Sequence, residues 1–118
     1  MLVIHTPMLL FPESNGLALL IVSMKTQENI SLKPYNTFGI DVKARFMVCI
    51  TSISDLREIY SDQRFKGLNK LIIGGGSNIL FRSDFPGLVL KNEIKGIEIL
   101  QEEEDFVRVK VGAGEIWH

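Results

Sequence analysis

The run Leu71-Ile72-Ile73-Gly74-Gly75-Gly76-Ser77-Asn78-Ile79-Leu80-Phe81 constrains this chain more than any other stretch. Three apolar residues lead straight into breakers, which reads as a short buried strand rather than a helix. Three successive glycines cost chain entropy, and their use is to reach positive φ or to let the backbone approach something closely. Successive N–H groups in such a turn form an anion-binding concavity. Gly74, Gly75 and Gly76 would supply the backbone donors, with Ser77 and Asn78 adding side-chain donors at the rim. The alternative use of the same residues is a tight turn packed on a neighbouring strand. Two familiar phosphate loops are excluded. No lysine follows the glycines as a Walker A loop requires, and position 79 is Ile where a dinucleotide fingerprint needs Gly.

The chain has 118 residues, enough for one domain or part of a larger one. A composition 46% hydrophobic and 23% charged can build a core. The formal charge of −1 argues against nucleic-acid and anionic-membrane partners. Cys49 is the single cysteine and lies in an apolar strand pattern, so it reads as a small buried hydrophobe, in keeping with a reducing cytoplasm. His5 and His118 are far apart in sequence, and no metal-ligand spacing is present.

Residues 1–23 differ in character from the rest. The apolar run Leu17 to Val22 is far shorter than the ~20 residues a membrane span needs. A signal peptide would carry a basic start, yet no Lys or Arg precedes Lys25. We expect 1–23 to be a poorly ordered extension or a misassigned start, with Met24 opening the domain over 24–118. Intact mass in the native host decides between these: a product beginning at Met24 supports the second, and a full-length product refutes it.

Ile30 to Gly39 reads as a loop carrying the turn formers Pro34, Asn36 and Gly39. Val42, Ala44, Phe46, Val48 and Ile50 then alternate with Lys43, Arg45, Met47 and Cys49, the pattern of a half-buried strand. Ser52 or Ser54 is placed to cap a helix with Asp55 in its first turn. Leu56, Ile59 and Tyr60 form its apolar stripe, and Tyr60 and Phe65 read as packing residues. Asp84-Phe85-Pro86-Gly87 reads as a turn before a short strand at Leu88 to Leu90. Ile97 to Leu100 and Phe106 to Val111 read as a hairpin with an acidic, solvated tip at Glu102 to Asp105. Gly112-Ala113-Gly114 forms a second small-residue turn, so one ligand approached by backbone from two sides is expected. The chain then stops at Glu115-Ile116-Trp117-His118, as an interrupted sequence would.

Four blocks in order carry a specific resemblance: Ser31 to Ile40 with its Asn-Thr-Phe-Gly, Gly74 to Asn78, Lys95 to Ile99, and Val111 to His118. Together, over roughly residues 28–118, they resemble the N-terminal part of the UDP-N-acetylenolpyruvoylglucosamine reductase (UDP-N-acetylmuramate dehydrogenase) family of peptidoglycan synthesis. The resemblance implies an incomplete α+β FAD-binding domain of the vanillyl-alcohol-oxidase (PCMH) type. It implies that Gly74 to Asn78 embrace the FAD pyrophosphate and that Gly112, Ala113 and Gly114 lie along the cofactor. It further implies that Asn36 and Thr37 support the cofactor site. The family's reaction passes hydride from NADPH through FAD to the enolpyruvyl group of a UDP-sugar. Its catalytic serine, glutamate and arginine match no position here, and Arg45, Arg57 and Arg82 are not substitutes. The chain alone is therefore expected to be inactive, to hold FAD weakly or not at all, and to self-associate through an uncovered sheet face. Ile116, where the family more often carries Asn, is a peripheral departure. The competing reading is a non-catalytic module that binds a flavin, a nucleotide or a protein. The FAD-binding part of a molybdenum-hydroxylase-like enzyme shares the broad fold but lacks the Asn-Thr-Phe-Gly block.

Overall fold

A computed structural model of the chain describes residues 25–116, so the expectations for 1–23 lie outside the described residues. The elements in order are β1 (Thr26–Ser31), β2 (Lys43–Ile50), α1 (Ile53–Ser61), β3 (Lys70–Ile73), β4 (Phe85–Asn92), β5 (Ile97–Glu102) and β6 (Val107–Val111). Short 3-10 turns at Lys33–Tyr35 and Gln63–Phe65 complete them. One four-stranded sheet has the order β1-β2-β4-β3, and β5-β6 form a separate two-stranded sheet.

β2, β4 and β3 run parallel, while β1 pairs antiparallel with β2. The chain leaves β2 through α1 to reach β3, then returns through residues 74–84 to insert β4 between them. Parallel crossovers are right-handed, so a connection that doubles back must cover the opposite face of the sheet. Each face accordingly has its own core. Val48, Ile50, Leu88 and Leu90 pack under α1 with Ile59 and Phe65. Ala44, Met47, Ile73 and Val89 pack against Leu32, Val42 and Phe81, which come from the segments over the other face. At about 25 cal/mol per Å² of apolar area removed from water, these two clusters are the main stabilising term.

Here the strand expectations need correction. β2 is a central strand buried on both sides, not half-buried, because parallel sheets are covered on both faces. An irregularity between Ala44 and Phe46 shifts the register and breaks the strict alternation. Ala44 and Met47 therefore serve one core while Phe46, Val48 and Ile50 serve the other. Across on β1, the unpaired Asn29 adopts φ 53 between the partners Glu28↔Phe46 and Ile30↔Ala44. β1 itself includes Ile30 and Ser31, read from sequence as loop. Its polar residues Thr26-Gln27-Glu28-Asn29 carry no alternation, which an exposed edge does not require.

Four further expectations change. The residues 85–87 expected in a turn open β4, where Gly87 lets the strand pass Asn69: an added Cβ would meet the Asn69 carbonyl oxygen at 2.2 Å. β3 is an edge strand with Ile72 exposed and only Ile73 buried. Cys49 is exposed, although Val48 and Ile50 on either side of it in β2 are buried. Tyr60 is exposed too, its ring 5.1 Å from the Lys70 ammonium, whereas Phe65 is fully buried.

The helix and the hairpin match their sequence signals. Ser52 caps α1 and Asp55 returns the bond, a capping box. β5 and β6 pair antiparallel from Ile97↔Val111 to Glu102↔Val107 around an exposed acidic tip. Among the described residues no helix is long and apolar enough to cross a membrane.

Candidate functional site

The glycine run begins where β3 ends, at the carboxyl edge of the parallel strands, and opens the crossover that returns to β4. Open parallel sheets bind ligands outside that edge. Residues Ile72 to Ile79 line an open cavity of about 290 Å³ with no charged side chain among them.

The three glycines do different things. Gly74 and Gly75 are exposed, and a Cβ on either would meet nothing within 4 Å. They leave room above the backbone. Gly76 is buried with φ +73, and a Cβ there would sit 1.9 Å from the Tyr35 carbonyl oxygen. It is the residue that cannot be replaced without moving backbone. Its carbonyl accepts the Thr37 N–H at 3.1 Å, with the Thr37 hydroxyl at 3.5 Å as a weaker second donor. Thr37 thus meets the glycine loop directly. Asn36 meets it with backbone alone, its Cα 3.0 Å from where a Gly76 Cβ would sit, because its side chain turns inward.

Among the described residues no hydrogen bond engages the N–H groups of Gly75, Gly76, Ser77 or Asn78. Unspent donors in a concavity free of negative charge are what an anion needs, and the Cβ-free ledge at Gly74 and Gly75 admits one to close range. This part of the chain fits a pyrophosphate. The lining holds no aromatic side chain on which a planar ring would stack.

The second small-residue turn is built differently. Gly112 N–H donates to the Gly96 carbonyl at 2.8 Å, Gly114 N–H to Ile94 at 2.8 Å, and Glu115 N–H to Gly112 at 3.0 Å. The Glu115 carboxylate accepts the Gly96 N–H at 2.7 Å, and the Lys95 ammonium donates to the Gly114 carbonyl. A Cβ at Gly112 would lie 2.3 Å from the Ile94 carbonyl oxygen, and one at Gly114 would lie 2.6 Å from Glu93 backbone. These glycines serve close packing on residues 93–96 and leave Ala113 exposed at the crest. No hydrogen bond joins the two turns. The Lys95 and Glu115 latch was not anticipated from sequence, since nothing local pairs residues 19 apart. A larger cavity of about 450 Å³ lies inside the exposed turn Glu103 to Phe106, where carboxylates meet solvent.

The FAD binding domain family matches residues 44–118. The chain belongs to that family. FAD is its cofactor, and the mixed sheet with few helices is a partial α+β domain of this class. The FAD-binding domain is 45% identical over 95 residues to the UDP-N-acetylenolpyruvoylglucosamine reductase of Flavobacterium johnsoniae, covering 80% of this chain and 28% of that protein. It is 46% identical over 96 residues to the protein of the same name from Pseudomonas aeruginosa, covering 81% and 28%. The one from Amoebophilus asiaticus is 46% identical over 95 residues, covering 80% and 28%. The chain therefore spans less than a third of the length of these relatives, and the resemblance read from the four sequence blocks holds.

Proposed function

We propose that this chain is the FAD-binding part of a UDP-N-acetylenolpyruvoylglucosamine reductase and that Gly74, Gly75, Gly76, Ser77 and Asn78 hold the FAD pyrophosphate. The observation that carries this is the set of N–H groups at 75–78 that no described residue engages, in a loop lining an open and uncharged cavity. The exposed Ala113, on the ledge that Gly112 and Gly114 build, offers a second surface along the cofactor. Asn36 and Thr37 support the loop from behind.

FAD, when bound, supplies hydride transfer from NADPH to the enolpyruvyl group of the UDP-sugar, a step of cytoplasmic peptidoglycan synthesis. This chain's residues bind and orient; none is assigned to proton transfer, and the chain alone is read as inactive. A non-catalytic flavin-binding module is the second reading. It is favoured by the sheet, whose two faces, among the described residues, are covered by residues up to Ile94.

FAD titration into the purified chain, followed by flavin fluorescence, tests the proposal. We expect saturable binding that weakens by more than about tenfold in Gly75→Asp, because a carboxylate then faces the pyrophosphate. The melting temperature should hold, since nothing lies within 4 Å of the new Cβ. No saturable binding by the parent chain, or equal binding by Gly75→Asp, would overturn the assignment of the pyrophosphate to this loop.

A further inference from the structure

Asn36 is the only buried polar side chain among the described residues. A buried amide must have its donors and acceptor met, or it costs the desolvation of each orphan group. The surrounding backbone meets them. Asn36 Nδ2 donates to the Leu32 carbonyl at 2.7 Å and to the Ile40 carbonyl at 3.1 Å. Its Oδ1 accepts the Ile40 N–H at 3.0 Å. Both Nδ2 protons are spent, so this side chain has no donor left for a ligand.

What those bonds build is a closed platform over residues 32–40. Tyr35 N–H returns to the Leu32 carbonyl at 2.9 Å and Gly39 N–H to the Asn36 carbonyl at 3.1 Å. The platform is anchored through Leu32, which is fully buried in the core that also holds Ile73. Gly76 rests directly on it, against the Tyr35 carbonyl and under the Thr37 N–H. The left-handed turn at Gly76 in turn sets where the N–H groups of Ser77 and Asn78 point. We infer that Asn36 is a positioning residue of the anion site, shaping the glycine loop through Tyr35 and Thr37 while touching no ligand. The inference rests on the reading of Gly74 to Asn78 as the pyrophosphate cradle.

The test compares Asn36→Ala and Asn36→Asp with Ile59→Val, whose buried side chain lies under α1 on the opposite face of the sheet. Asn36→Asp keeps an acceptor for Ile40 N–H but faces two carbonyls with no donor. Two readouts are taken on the whole 118-residue chain: amide resonances by heteronuclear NMR without ligand, and FAD affinity by titration. We expect both Asn36 variants to shift the resonances of Gly75 to Asn78 while those of Val48, Leu88 and Leu90 stay in place. FAD affinity should fall by about tenfold or more, as when a supporting shell is loosened. Ile59→Val, compared at equal distance below its own melting temperature, should stay within about twofold of the parent chain because its lost methyl destabilises without reaching the loop. The inference is overturned if the Gly75 to Asn78 resonances do not move, or if the Asn36 variants bind FAD as tightly as Ile59→Val. Should the parent chain bind no FAD, the pyrophosphate reading fails by itself, and the resonances still decide whether Asn36 shapes the loop.

Discussion

Cys49 and the three glycines show how far a residue's identity is from its role. Cys49 pairs in register with Lys91 and lies near Glu93, exposed between the buried Val48 and Ile50. Partial burial of the sulfur, then the Glu93 carboxylate, push its thiol above the ordinary value, with Lys91 opposing. The thiol form therefore persists to higher pH than in a free cysteine. We expect iodoacetamide to label Cys49 completely but slowly, with the rate rising at a higher pH than for glutathione; a rate midpoint at or below that of glutathione would contradict this. The sequence pattern pointed to a buried hydrophobe because alternation places Cys49 opposite apolar residues. It carries no information on where the packed face ends. At Gly74 to Gly76 the residue type was read correctly as a need for special backbone. Only Tyr35, far back in the sequence, shows that Gly76 meets a steric demand while Gly74 and Gly75 leave open space.

At the scale of elements, α1 was the most legible. Ser52 Oγ accepts the Asp55 N–H at 3.2 Å, and the Asp55 carboxylate accepts the Ser52 N–H at 3.1 Å and the Thr51 N–H at 2.7 Å. Ser52→Ala removes one of these reciprocal bonds and should cost about 1 kcal/mol in a denaturant titration. Ser54→Ala, inside the helix, should cost clearly less; equal costs would mean that the cap contributes nothing. The cap is legible because its chemistry spans only three residues. β4 was half-legible for the opposite reason. Pro86 and Gly87 are turn formers by local preference, yet residues 85–87 open a strand because β2 pairs with Phe85 and the Asn69 carbonyl takes the space a side chain at Gly87 would need. Tertiary context overrides propensity there.

For the whole molecule, the two sheets differ in completeness. The four-stranded sheet hides both faces, whereas β5 and β6 place Ile97, Ile99, Val107 and Val109 in the open. The register pairs Ile99 with Val109 and Glu98 with Lys110, so one side of the hairpin is apolar and the other charged. An exposed apolar patch on strands with free edges favours association. We expect this chain to self-associate at high concentration, and the double substitution Ile99→Lys with Val109→Lys to return it to monomer in sedimentation velocity. A parent chain that stays a clean monomer at high concentration would refute the expectation. The double variant should melt with the parent, because neither side chain belongs to a core cluster.

What the sequence by itself determined is whatever short-range chemistry can specify. The glycine loop after a strand, the capped helix, the alternating hairpin with its acidic tip and the four-block resemblance to a flavoenzyme family all depend on neighbours within a few residues or on motif order. The tertiary structure alone decided which faces are buried, how the glycines divide their roles, and that Asn36 turns inward to brace a platform beneath Gly76. It also spent the turn at Gly112 to Gly114 on residues 93–96. The physical reason is the same in each case. Propensity and periodicity act through local sterics and bonds, while burial and close backbone contact are set by segments that meet only when the β2-α1-β3 crossover and its return have closed over the two faces of the sheet.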